Sequence, residues 1–259
     1  LAGPDTFTQQ IVDHVVSGGS MCCMGYAGTG KSCVLRATKA ALEASGLTVA
    51  AICLTHLGAR NLGASAVTAH SSVLKNLLHG TFSGQVILID EISFMSIDLI
   101  AVLEQARLSG VRLLCFGDWR QLPPVCNRWR GQRVPDDLFE KSRLFHSWSD
   151  GNTFLLRRCR RSDQAHFDTC LRIRDMDLPS AIEEAHQKYS RQTDGADWHL
   201  CMSHYKRKQL NDQVQRALAA GRTDTLMIAC EVEYELSPGT KLIGINSSLK
   251  PITNGAFLL

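Results

Sequence analysis

The chain has 259 residues, 44% hydrophobic and 20% charged, with a net charge of +3 at neutral pH. That is enough to bury one large core or two smaller ones, and a balance so weakly basic admits a polyanionic partner without requiring one. No apolar run is long enough to span a bilayer, and the ten cysteines include no CxxC pair, which argues against a membrane segment and against a zinc knuckle.

Several cysteines stand in apolar runs, MCCM, AICL and RLLCF, where thiols act as small buried hydrophobes. They point to a reducing intracellular compartment: nucleus or mitochondrion in a eukaryote, cytoplasm for a bacterial or viral protein. The N-terminus has neither the basic start nor the apolar core of a signal peptide. A missing initiator Met and an apolar end, GAFLL, suggest part of a longer protein.

In chain order, MCCMGY predicts a strand, KSCVLRATKAALEAS a helix, TVAAICLT and VILID two strands, SIDLIAVLEQARL a helix and VRLLCF a further strand. Strands alternating with helices argue for a parallel α/β sheet, whose ligands collect at the carboxyl ends of the strands. Asn127 to Asp150, with Arg128, Arg130, Arg133, Asp136 and Asp137, reads as a surface connection. A domain boundary is placed at its end, giving residues 1–150 and 151–259, with a short insertion near 72–85. FLLRRCRRSD, DQAHFDTCLRIRD, WHLCMS, HYKRKQLNDQVQRALAAG, TLMIAC and TKLIGIN predict a second α/β unit.

Gly25-Tyr-Ala-Gly-Thr-Gly-Lys-Ser32 fits GxxxxGK(S/T) and joins a predicted strand to a predicted helix, the context the motif requires. Gly25, Ala27, Gly28, Thr29 and Gly30 would let backbone N–H groups converge on phosphate oxygens, Lys31 would reach the outer phosphates and Ser32 would give a hydroxyl to Mg²⁺. VILIDEIS ends a strand in two carboxylates: Asp90 would hold Mg²⁺ through water, and Glu91 would orient and deprotonate the attacking water of ATP hydrolysis. In GDWRQLPPV, Gln121 is neutral and carries both a donor and an acceptor, so it can bind a terminal phosphate and lose it after hydrolysis. Pro123 and Pro124 stiffen the backbone just beyond it.

GYAGTGKS, DEIS and GDWRQLPPV, in that order, resemble the superfamily 1B helicases: the RecD, phage Dda and petite-integration-frequency (PIF) families. The resemblance implies two RecA-like parallel-sheet domains, the second incomplete, and an ATP-dependent helicase moving 5′ to 3′ on single-stranded DNA, with RNA a possible alternative strand. It makes Gln121 the γ-phosphate sensor and the Pro-Pro turn its lever. LTHLGARNL is similar to the family's motif Ia, with Thr55 and His56, and VTAHS to its TxHS element, with Thr68, His70 and Ser71; these would touch the strand. LRRCRRSDQAHFDTCLRIRD resembles the LxxxxRQxDxxFxxxLxxIR segment, which makes Arg160 the arginine that reaches the γ-phosphate across the domain cleft. KLIGINSSLKPITNGAF is similar to the stretch that precedes the family's small β-barrel.

Gln9 lies near the position of a glutamine that reads adenine in these families. Arg161 stands where they carry glutamine, SVLKNLLHGTFSGQ leaves little room for a strand-separating wedge, and the sequence stops before the last family motifs. Alternatives left open are a catalytically impaired helicase-like module that binds nucleic acid or a partner, a viral-type superfamily 1 RNA helicase, and another phosphate-loop NTPase. A GTPase should carry an NKxD-type guanine reader, and the sequence has none.

Overall fold

The computed structural model describes residues 5–53, 67–68, 76–77, 79–80, 82–124, 127–189, 201, 203–228, 234–236, 238, 240, 242–243 and 257–258. The chain divides into two compact units, 1–171 and 172–259.

The first unit opens with helix α1, Thr6–Val16, capped by the Asp5 carboxylate, which accepts from the N–H of Thr8. Strand β1, Met21–Gly25, follows, then α2, Lys31–Ala44, β2, Val49–Cys53, and the two-residue β3, Val67–Thr68. Strand β4, Val86–Ile89, leads through a short 3₁₀ turn, Ile92–Phe94, into α3, Ile97–Leu108, and β5, Arg112–Gly117. A small hairpin, β6 (Arg128–Trp129) and β7 (Gln132–Arg133), precedes α4, Arg143–Trp148, and β8, Thr153–Leu156. Six strands form one sheet in the order β3-β2-β4-β5-β1-β8, with every ladder parallel.

Parallel sheets are covered on both faces, so their strands read as continuous apolar runs while alternate side chains serve opposite cores. That division is visible in β1. Cys22 and Met24 pack with Ile87, Ile89, Leu113 and Cys115 against Leu99, Ile100 and Leu103 of α3 and Phe145 and Trp148 of α4. Met21 and Cys23 pack with Val86, Leu88, Leu114 and Phe116 against Ile11 and Val15 of α1 and Val34, Leu35 and Leu42 of α2. Each fully buried Val, Leu or Ile contributes about 1.5–3 kcal/mol. Burial pushes the Cys23 thiol up to about 12 and the Cys22 and Cys115 thiols upward as well, which keeps them protonated hydrophobes.

Two expectations change. Asn127 to Asp150 is more than a surface connection, because Phe139, Phe145 and Trp148 are buried there, and Trp119 of GDWRQLPPV meets Phe145 edge-on at 5.0 Å. The charged residues around them hide this apolar set from a reading by composition. Thr153–Leu156, assigned from sequence to the second domain, instead pairs with β1, so the first unit runs on past residue 150 into helix α5, Gln164–Arg174.

In the second unit, α6, Leu178–Lys188, is capped by Asp177. Helix α7, His204–Ala219, is capped by Ser203. The described strands form two antiparallel pairs: β9, Leu226–Ile228, with β10, Tyr234–Leu236; and β11, Leu242–Ile243, with β12, Phe257–Leu258.

Candidate nucleotide site

Four adjacent strands, β4, β5, β1 and β8, release their loops at one carboxyl edge of the sheet. The loop from β1 is glycine-rich by necessity. A Cβ at Gly25 would lie 2.6 Å from Thr29 Oγ1 and 2.9 Å from the Leu156 carbonyl, while Gly28 and Gly30 take φ of +85° and +97°, a region costly to residues with a Cβ. Thr29 closes the loop by donating its hydroxyl to the Tyr26 carbonyl at 2.7 Å. Lys31 is buried, and its Nζ donates to the carbonyls of Gly25 at 2.7 Å and Tyr26 at 3.3 Å. Gly30 at the N-cap of α2 offers no side chain, so the first N–H groups of the helix keep their positive end open to an anion.

Strand β4 is followed at once by Asp90, whose N–H donates to the Ile52 carbonyl of β2 at 2.9 Å and whose Oδ1 accepts the N–H of Glu91 at 3.0 Å. Asp90 is buried, and that burial raises its pKa against the opposing pull of the Glu91 N–H and of Lys31. Glu91 has φ +54° and ψ +53°, a left-handed conformation costing on the order of 1 kcal/mol in a residue with a Cβ, and it turns the chain into the 3₁₀ segment. Burial first, then the neighbouring Asp90 charge, raises the Glu91 pKa; Lys31 opposes this, Asp118 adds to it and Arg161 offsets it.

Strand β5 ends on Gly117, where a Cβ would come within 2.7 Å of Ile92 Cγ2, so the two loops touch. Asp118 is buried and closes a tight turn, its Oδ1 accepting from the Arg120 N–H at 3.0 Å and its carbonyl from the Gln121 N–H at 3.1 Å. Beyond β8, the Arg160 N–H donates to the Gly28 carbonyl at 2.8 Å, and the Arg160 guanidinium pairs with Asp5.

These loops enclose a cleft of about 610 Å³. Its walls are Ala27, Gly28, Gly30, Lys31, Ser32, Cys33 and Arg36 from the first loop and helix, together with Glu91, Gln121, Arg160 and Arg161. The sequence-predicted Gly25, Thr29 and Asp90 are not among the residues that line it: the Gly25 carbonyl holds Lys31, Thr29 closes the loop on Tyr26, and Asp90 accepts the Glu91 N–H. Arg160 belongs to the same compact unit as the phosphate loop, so the placement across a domain cleft read from the resemblance is corrected: the backbone bond to Gly28 and the early pairing of β8 bring it there. Gln9 is exposed on α1, its amide donating to the Asp13 carboxylate at 2.7 Å, and it is not among the residues that line the cleft. Thr55, His56, His70 and Ser71 lie outside the described residues, and Thr68 is placed only as backbone in β3. Sequence reasoning passed over Asp118, Arg36 and Cys33; for Asp118 the signal was a carboxylate directly after a buried strand.

Residues 8–134 match a family model described as an AAA domain. Among curated proteins, comparison of sequences finds no match. Among solved structures, the Pif1 helicase from Candida albicans is similar over 99% of this chain and 68% of its own, at 21% identity and a TM-score of 0.69. The chain has the Pif1 helicase fold. Two structures from Bacteroides agree: Pif1 bound to ssDNA, with 19% identity and a TM-score of 0.65, and Pif1 in complex with ADP-AlF3 and ssDNA, with 18% identity and 0.63. Each is covered over 69% of its length by 99% of this chain. The resemblance read from GYAGTGKS, DEIS and GDWRQLPPV is thus borne out in the Pif1 fold.

Proposed function

We propose that the chain is the ATP-hydrolysing part of a DNA helicase that moves 5′ to 3′ along single-stranded DNA. One observation carries this reading: Lys31, Glu91, Gln121 and Arg160, far apart in sequence, line one cleft. The comparisons support it, since the Bacteroides relatives are proteins crystallised with single-stranded DNA and one also with ADP-AlF3.

In this reading the open start of α2 and Lys31 hold the phosphates, Glu91 takes a proton from the attacking water, and Arg160 and Arg161 meet charge that builds on the transferred group. The donor set suits Mg²⁺, which seldom takes an all-protein cage. A Ser32 hydroxyl and the buried Asp90 carboxylate would share the ion with phosphate oxygens, and a cation would offset the burial that raises Asp90. When bound, Mg²⁺ neutralises charge on those oxygens. Among the described residues no helix is long and apolar enough to cross a membrane.

The test is phosphate release with and without oligo(dT), followed by strand displacement on 5′- and 3′-tailed duplexes. Stimulation by the strand and unwinding of the 5′-tailed substrate support the reading; a strand-indifferent hydrolase does not. Gln121 separates coupling from chemistry. Gln121→Ala is expected to leave nucleotide and strand affinities, measured separately, within about twofold while abolishing most of the stimulation, and the effect of each ligand on the other's affinity should shrink by one common factor. Normal stimulation in the folded variant makes GDWRQLPP a structural turn.

Asp5 gives a smaller effect of opposite sign. Arg160 must leave Asp5 to reach a phosphate, and Asn caps a helix as well as Asp does. Asp5→Asn should therefore keep α1 intact and tighten a fluorescent ATP analogue by up to about fivefold, the scale of an exposed ion pair. An unchanged or weaker affinity would show that the pair does not compete with nucleotide.

A further inference from the structure

The hairpin after GDWRQLPPV has no place in the nucleotide chemistry, yet its construction is specific. Arg130 and Gly131 both have positive φ, +48° and +81°, forming the two-residue turn that matches the twist of paired strands. A side chain larger than glycine rarely takes the first of these positions. The register sets Arg128 directly opposite Arg133 and Trp129 opposite Gln132. Like charges in facing positions destabilise a strand pair. Between Asn127 and Val134 there are three arginines and no acid, all three arginines are exposed, and Trp129 is 44% exposed. Arg133 makes a loose exposed pair with Asp136 at 3.5 Å, which screens it weakly.

The base of this cationic tip is fixed. Asn127 is buried; its Oδ1 accepts from the N–H of Ile97 at the start of α3 at 3.0 Å, and its carbonyl accepts the N–H of Val134 at 3.0 Å. Helix α3 begins just beyond Glu91, so the hairpin stands at the carboxyl edge that carries the cleft. Trp119, Pro124, Asn127 and Val134 also surround one water-sized void of about 10 Å³, which makes the hairpin base continuous with the Gln121 stretch.

We propose that the β6–β7 hairpin is a contact for single-stranded nucleic acid, in which Arg128 and Arg133 bind successive backbone phosphates and the Trp129 ring stacks on a base. A polyanion relieves the facing arginines, and an exposed indole accepts any base, as sequence-indifferent binding requires. The inference rests on the single-strand reading above and adds a site that none of the motifs supplies. It also places the strand beside the element that carries Gln121.

The test is anisotropy of labelled oligo(dT) with the whole chain across a salt series. Arg128→Gln/Arg133→Gln is expected to flatten the slope of log affinity against log salt by about 1.4, two phosphates' worth, and to weaken binding about 25-fold at 0.1 M salt. Trp129→Ala should weaken it about tenfold, whereas Trp129→Phe should nearly restore affinity but remove the quenching of tryptophan fluorescence by the oligonucleotide. Binding of a fluorescent ATP analogue should stay unchanged in all three, which reports that the fold and the cleft are intact. A parent that binds oligo(dT) beside variants with the same affinity and slope overturns the hairpin contact alone. A parent that does not bind oligo(dT) overturns the single-strand reading and the contact with it. Loss of binding to a polyglutamate peptide with an unchanged oligonucleotide curve assigns the hairpin to a protein partner and also overturns the proposal.

Discussion

Glu91→Gln is expected to lower ATP turnover by about 10²- to 10⁴-fold while leaving ATP affinity within a small factor, because the amide keeps the shape of the side chain and loses the base. The site favours this outcome in three ways. Glu91 lines the cleft, its Oε2 is buried with no hydrogen-bond partner among the described residues, and burial beside Asp90 raises its pKa toward the working range of a general base. The same shift predicts a stability signature. Above the ordinary carboxylate pKa of about 4, the folded protein holds this proton more tightly than the unfolded chain does. The stability it contributes is complete below that value and is lost as pH rises through the folded pKa. Glu91→Gln should therefore unfold at higher urea than the parent at pH 7, and the gap should narrow toward pH 5. Parental turnover, or a variant weaker in urea at pH 7, would remove Glu91 from the base role.

Lys31→Ala should fail differently. Loss of a charge-assisted contact to phosphate weakens a fluorescent ATP analogue by about 10- to 100-fold, and hydrolysis falls with it. The nucleotide-free protein should also lose about 1–3 kcal/mol of stability. Nζ satisfies the Gly25 and Tyr26 carbonyls and is the cation that draws down the raised pKa values of both Asp90 and Glu91. Adding Glu91→Gln to Lys31→Ala should recover part of that stability without recovering binding, since one of the stranded carboxylates is then gone. Urea titrations of the four proteins measure the coupling, and strict additivity would mean that Lys31 does not serve the acidic pair.

The first sheet was legible because its strands are buried on both faces: MCCMG, VAAIC, VILI and, after Arg112, LLCFG are unbroken apolar runs, and the glycines of GYAGTGKS fall where only glycine fits. TFLL, as apolar as the rest, went to the wrong unit, since nothing local tells an edge strand which sheet it joins; its pairing with β1 is a long-range choice. Phe139, Phe145 and Trp148 were overlooked because the charged residues between them dominate composition, while their burial depends on Trp119 arriving from another segment. Arg160 was legible as a residue and misplaced as a geometry. Its pattern identifies the side chain, but the bond from its N–H to Gly28 is tertiary.

That bond has a mechanical meaning. The polypeptide leaves β8 fastened to the phosphate loop twice within a few residues, first by the Arg160 N–H on the Gly28 carbonyl and then by Phe167 of α5, whose ring lies 6.3 Å from that of Tyr26. Tension applied to the chain beyond Leu171 is therefore borne by Gly28 and Tyr26 before it reaches the sheet. On the proposed nucleotide reading, a pull on α5 would thus be felt first at the loop that seats the phosphates, ahead of the sheet.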